Sequence, residues 1–270
     1  MIRVLFRAYQ GFIKDDGPAL AGFIAFSTIL GLFPFLILAT SIAAMTFGAE
    51  RSQEAVDALF EFAPEHAALT LEPVLVDVLA SAGRSVLTVS AVAALWISSN
   101  AVEALRKAFD RAYNVASPRR WWKGRLISFG CVIVGIFVFF SLGLTIVLGP
   151  LILGLIQTYF GISVPNGTGL MRYLFGGVIF VSFLLFLHRV LPRHSYRIKK
   201  LWVGVLVSTV IWIVAATGFS IYLGYTPTYT STYGTLAGVI ITLVFLYITG
   251  MAIIYGAEVN AVLAEGRMEE

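Results

Sequence analysis

The chain is short of charge. Asp, Glu, Lys and Arg make up 13% of its 270 residues, where an average soluble domain carries roughly 25%. It is correspondingly rich in apolar side chains, at 59%, with a mean hydropathy of +0.88. A water-soluble fold needs polar cover over its surface and has no way to find it here. Cysteine is nearly missing: Cys131 alone sits in an apolar run, so an intramolecular disulfide and a cysteine metal site are both excluded. The three histidines, His66, His188 and His194, fall on different sides or depths and build no shared hydrolytic metal site. Walker, GxSxG and HExxH motifs are missing. The N-terminus shows no short apolar core with a cleavage site, so the first long apolar run is expected to remain as an anchor.

Long apolar runs are what the sequence does have. A spanning helix needs about 20 mostly apolar residues, and six runs qualify, at 19–47, 86–102, 126–149, 173–191, 201–223 and 236–255. Gly149 and Pro150 should kink or end the third, because proline lacks a backbone donor. The expected fold is an all-α polytopic membrane bundle of about six transmembrane helices in a single domain.

The basic residues alternate between the two sides. Arg3, Arg7 and Lys14 precede the first run. Arg106, Lys107, Arg111, Arg119, Arg120, Lys123 and Arg125 lie between the second and third. Arg189, Arg193, Arg197, Lys199 and Lys200 lie around the link of the fourth and fifth, and Arg267 follows the last. The other side holds only Arg51, Arg84 and Arg172. By the positive-inside rule both termini face the cytoplasm, so the positive net charge reports topology and no nucleic-acid partner is expected.

Residues 48–85 form the largest external piece. Val56, Leu59, Phe60 and Ala63, then Leu75, Val78 and Leu79, recur at helical spacing among seven carboxylates, with Pro64 and Pro73 as breaks. A short amphipathic helical external segment is expected. On the inner side the second run should continue as a polar helix, with Glu103 and Lys107 spaced i,i+4. Arg119, Arg120, Trp121, Trp122, Lys123 and Arg125 follow. Tryptophans beside basic residues mark the headgroup level, and the cluster is a candidate contact for anionic lipid.

Polar groups near membrane depth are the informative ones, since each costs free energy unless paired or wet. Glu258 follows a continuous apolar helix, and Asn260 lies about 200° round from it. Ala252, Gly256 and Asn260 share one stripe, where small residues admit a neighbouring helix and an amide bonds across the contact. Asn100 and Glu103 end the second run, and Asp16 and Ser27 enter with the first. Together Asp16, Ser27, Asn100, Glu103, Glu258 and Asn260 form a candidate inward-facing polar cluster. Pro34 puts a bend in the first run. Tyr222, Tyr225, Tyr229 and Tyr233 fit an aromatic belt.

These residues resemble a known family. The stretch from Asp16 to Pro34, DGPALAGFIAFSTILGLFP, is similar to the opening signature of the YihY/virulence factor BrkB family. WISSNAVEALRKAF from Trp96, with Ala112, Tyr113 and Asn114, resembles its second signature. Tyr233-Gly-Thr-Leu and Gly256-Ala-Glu-Val-Asn-Ala resemble its last. Thr28 stands where the family usually shows an aromatic or apolar residue. The matches run in order along nearly the whole chain.

The resemblance implies a bacterial inner-membrane protein of about six spans. Some members once carried the name ribonuclease BN, and others are linked to serum resistance or envelope lipid export. The expected function is transport or translocation of an envelope component such as a lipid, without enzymatic activity, cofactor or metal. Membrane lipids and envelope proteins are the expected partners. A non-transporting scaffold for envelope assembly is the alternative, and a ribonuclease the remote one.

Overall fold

The computed structural model describes residues 1–47, 84–115, 120–143, 145, 168–193, 198–225 and 237–265. Over these residues the chain is helical and contains no strand. The helices are α1 (Ile2–Lys14), α2 (Gly17–Phe47), α3 (Arg84–Ala112), α4 (Trp121–Gly143), α5 (Thr168–Val190), α6 (Ile198–Gly224) and α7 (Ala237–Glu265). The all-α polytopic bundle expected from the hydropathy pattern is what forms. Residues 48–83 of the external segment, residues 226–234 of the tyrosine-rich loop, Arg119 and the stretch around Pro150 lie outside the described residues.

Trp121–Val138, Tyr173–Val190, Lys200–Gly224 and Ala237–Ala264 are each long and apolar enough to cross a membrane, and the Gly17–Leu32 part of α2 is apolar as well. Helix α3 is free of charged side chains from Ser85 to Val102 and carries Glu103, Arg106, Lys107, Asp110 and Arg111 in its last three turns. Phe137 on α4, Val178 on α5 and Val214 on α6 are 68%, 63% and 66% exposed. Apolar faces of that extent find their solvent in hydrocarbon, where helices satisfy every backbone group internally.

Helix ends follow local chemistry. Asp16 (φ 58°) and Asn114 (φ 49°) take the left-handed conformation, which Asp and Asn tolerate better than other non-glycine residues. Asn114 closes α3: its N–H donates to Arg111 O and that of Val115 to Asp110 O, at 2.9 and 3.0 Å, which is a Schellman stop. Asp16 ends α1 and starts α2, accepting from the Leu20 N–H at 3.0 Å, with Pro18 pre-set for the first turn. Helix α2 runs unbroken through Pro34.

Helix α1 has three faces. Ala8 and Phe12 are buried, with Phe12 edge-on to Tyr255 of α7 at 6.1 Å and the Tyr255 hydroxyl donating to Leu5 O at 2.9 Å. Ile2, Phe6, Tyr9 and Ile13 form an exposed apolar stripe. Arg3, Arg7 and Lys14 lie exposed beside it, the pattern of a helix lying in a membrane–water boundary.

Packing is by close approach. A Cβ on Gly250 of α7 would meet Ala21 Cα of α2 at 3.2 Å, and one on Gly31 of α2 would meet Ser98 Oγ of α3 at 2.5 Å. Helices α6 and α7 cross most tightly, with Gly204 against the Gly256 carbonyl and Gly256 against Ser208. Asn260 locks this crossing: its Nδ2 donates to Leu201 O at 3.0 Å, and the Gly204 N–H donates to its Oδ1 at 2.8 Å. Buried Phe109, Leu184, Leu187, Leu191 and Ile254 gather where α3, α5 and α7 end.

Candidate functional site

The site starts from the spacing on α3. Glu103, Arg106 and Asp110 lie three and four residues apart, so they share one helix face. Arg106 is buried and bonds both neighbours. Its Nε and Nη2 donate to Glu103 at 3.0 and 2.5 Å, and its Nη1 to Asp110 at 2.6 Å. Glu103 also accepts from Ser128 of α4 at 3.3 Å, and Asp110 accepts from the Arg193 N–H at 3.2 Å. The sequence pairs Glu103 with Lys107. The structure pairs it with Arg106 instead, which the close approach of Gly124 on α4 accommodates: a Cβ there would lie 3.3 Å from Arg106 Nε.

Burial alone would raise the Glu103 carboxyl. The hydrogen bond and charge of Arg106, with Ser128 and Lys107, outweigh it and hold the group below its ordinary value. The Glu103 hydrogen bond in turn raises the Arg106 guanidinium against its burial. A carboxyl depressed in the fold contributes stability above its unfolded value and loses it as the pH falls through the folded one. The melting temperature of solubilised protein should therefore stay level down to about the ordinary carboxylate value of 4.5 and fall below it. Glu103→Gln should start lower and lose less. An identical acid limb in that variant would rule out Glu103 as the titrating group.

With Glu103 turned to Arg106, Lys107 is left on the edge of a cavity of about 440 Å³ between α2, α3 and α4. Leu20 and Phe23 of α2, Asn100, Glu103, Ala104, Lys107 and Arg111 of α3, and Trp121 and Arg125 of α4 line it. Arg125 is held by neutral acceptors: Nη1 donates to Asn100 Oδ1 at 2.8 Å and Nη2 to Trp96 O at 3.0 Å. Its guanidinium also lies 4.1 Å over the Trp96 ring and 5.5 Å over Phe129. Its Nε is buried without an acceptor among the described residues, and an unmet buried donor costs about 1–3 kcal/mol. Lys107 makes no ion pair among the described residues. Arg111 is paired, its Nη1 reaching Asp16 Oδ2 and Asp15 O at 3.0 Å each. That pair is exposed and contributes little to stability.

The structure thus brings Asn100 and Glu103 together with Trp121 and Arg125, joining part of the polar cluster to part of the lipid-contact cluster. Asp16 reaches the cavity edge through Arg111. Ser27 is buried in α2, one turn past Phe23, and does not line the cavity. Glu258 and Asn260 lie elsewhere. Glu258 is 3% exposed and packs on α1, where a Cβ on Gly11 would meet its Oε2 at 2.5 Å. Asn260 is engaged on the α6 backbone. Arg120, Trp122 and Lys123 are exposed, with the Lys123 ammonium 5.3 Å over the Trp122 ring. A second polar cavity of about 560 Å³ lies beyond Lys107 and Arg111 and is bordered by Asp15 and Asp110. A third, of about 610 Å³ between α1, α6 and α7, has no charged side chain. Sequence analysis counts Arg106 only among the basic residues and does not single out Ser128, although acid, base and acid at i, i+3 and i+7 signal a network centred on Arg106. Among the described residues no three His, Cys, Asp or Glu side chains are grouped to hold a metal.

Known proteins agree on the family. The ribonuclease-like protein YfkH of Bacillus subtilis (strain 168) is 26% identical over 94% of this chain and 93% of its own length. A UPF0761 membrane protein of Tolumonas auensis is 26% identical over 94% of the chain and 83% of its own. A UPF0761 membrane protein of Coxiella burnetii reaches 38% identity over 104 residues, 38% of this chain and 37% of its own. No solved structure matches. The family described as Virulence factor BrkB matches residues 8–270, and with that match running from within α1 through α7, the chain belongs to the virulence factor BrkB family of membrane proteins.

Proposed function

We propose that this protein translocates a lipid of the cell envelope, crossing the bacterial inner membrane about six times with both termini in the cytoplasm. The observation that carries the reading is the charged cavity between α2, α3 and α4 in a bundle whose outer faces are apolar. Ionisable groups at membrane level are expensive, and they mark substrate paths more often than packing sites. Trp121 and Trp122 set the cavity at headgroup level, where a lipid enters from the leaflet without leaving the bilayer. On this reading the protein is a carrier and not an enzyme.

Glu258 is the carboxylate on which the reading depends outside the cavity, since it is buried under α1 near the C-terminal end of α7. The test is reconstitution in vesicles carrying a fluorescent lipid in both leaflets, with an impermeant quencher outside. Wild type should make the inner-leaflet lipid accessible well ahead of protein-free vesicles. Glu258→Gln should slow this on the order of tenfold while inserting normally. A wild-type rate equal to that of empty vesicles refutes translocation, and full activity in Glu258→Gln removes that residue from it.

A further inference from the structure

We propose that the cavity between α2, α3 and α4 binds a phosphate group, clamped by Lys107 and Arg125; this rests on the translocator reading and names the headgroup class it selects. Three observations combine. Lys107 lines the cavity and acts on Glu103 through its charge, without an ion pair among the described residues. Arg125 lines it too, and its described hydrogen-bond partners, Asn100 Oδ1 and Trp96 O, are both uncharged. The carboxylates nearby are already engaged: Glu103 accepts two bonds from Arg106, and Asp16 pairs with Arg111. The cavity wall therefore carries two cationic groups with no carboxylate bonded to them, on the face of α3 where the local acids are satisfied.

An anion completes such a site, and the geometry selects among anions. Arg125 is oriented by two neutral acceptors and by the Trp96 ring, so its planar fork is preorganised for an oxyanion, while Lys107 adds a point charge from about two turns of α3 beyond Asn100. A cavity of about 440 Å³ lies within the range of roughly 300–1,000 Å³ for small-molecule sites. Trp121, 73% exposed at the rim, and Leu20 and Phe23 on the α2 wall supply apolar surface for the glycerol and upper acyl carbons of a lipid. Basic pockets between membrane helices hold anionic headgroups by these means. A phosphodiester whose charge is not offset within its own headgroup fits better than one carrying its own ammonium.

The test uses the full-length protein in detergent, with lipid retention read by native mass spectrometry against phosphatidylglycerol and phosphatidylcholine. Wild type should retain phosphatidylglycerol in preference. Lys107→Gln, at an exposed position without an ion pair among the described residues, should weaken retention on the order of tenfold, and Lys107→Arg should restore most of it. Excess inorganic phosphate should displace the lipid. If inorganic phosphate binds with the same Lys107 dependence but phosphatidylglycerol is not retained, the phosphate site stands and its lipid source falls, taking the translocator reading with it. If the lipid is retained but vesicles show no translocation, the site stands without that function. Lys107→Gln that is folded by its melting curve and retains phosphatidylglycerol like wild type overturns the proposal.

Discussion

Gly204→Val should leave almost no monodisperse protein after solubilisation. A Cβ at this position falls on the Gly256 carbonyl and the Asn260 amide. The first of these is backbone, so neither helix yields without moving the other. Overpacking a core usually costs about 1–3 kcal/mol, and here two backbones must separate and the Asn260 bonds to Leu201 and Gly204 are lost with them, so the penalty should exceed about 3 kcal/mol. Gly204→Ala should lower the melting temperature in the same direction. Gly218 on the same helix is the control, because no atom of the described residues lies within 4 Å of a Cβ there. Gly218→Ala should be neutral or slightly stabilising, since alanine is favoured over glycine in a helix interior by up to about 1 kcal/mol. Equal behaviour of Gly204→Ala and Gly218→Ala in size-exclusion and melting measurements would show that α6 and α7 do not cross at Gly204.

Arg106→Met should be the most damaging single change among the charged residues. The guanidinium side chain is 8% exposed, and the carboxylates it serves, Glu103 and Asp110, are 20% and 15% exposed. Removing it leaves two carboxylates on one helix face, about two turns apart, with their shared counter-charge gone. Breaking a buried pair costs about 3–5 kcal/mol, and this position near a helix end belongs toward the lower figure. The loss should be largely repaired in Arg106→Met with Glu103→Gln and Asp110→Asn together, because a neutral network has no unmet charge. Melting curves of the solubilised proteins decide it. A single variant as stable as wild type would mean that the carboxylates are solvated without Arg106.

These two changes separate what pattern reading reaches from what it does not. The small-residue stripe Ala252, Gly256 and Asn260 was visible as periodicity, and so was the role of Asn260 across a helix contact. Its partner positions on α6 were not, because Gly204-x-x-x-Ser208 is one of several small pairs in an apolar run and nothing local says which faces inward. Glu103 and Lys107 stood at a favourable spacing, yet Arg106 captured Glu103. That choice depends on Gly124 and Ser128 of α4 standing beside it, and neither is near in sequence. Trp121 to Arg125 precede the third apolar run in the sequence, and in the structure they form the first turn of α4. In that turn Arg125 is carried into α3 while Trp122 and Lys123 face outward.

The sequence alone determined the solvent, the helical class and the family, because hydropathy, charge spacing and ordered motifs are properties of the chain read along its length. Apolar runs of about 20 residues have few options but to become helices in hydrocarbon. Tertiary structure decided which polar side chains meet. Asn100 and Arg125 are brought into one cavity by the packing of α3 on α4, while Glu258 is carried away beneath α1. The physical reason is that a helix turns 100° per residue, so neighbours in sequence face different partners, and only the packed faces settle which charges find one another.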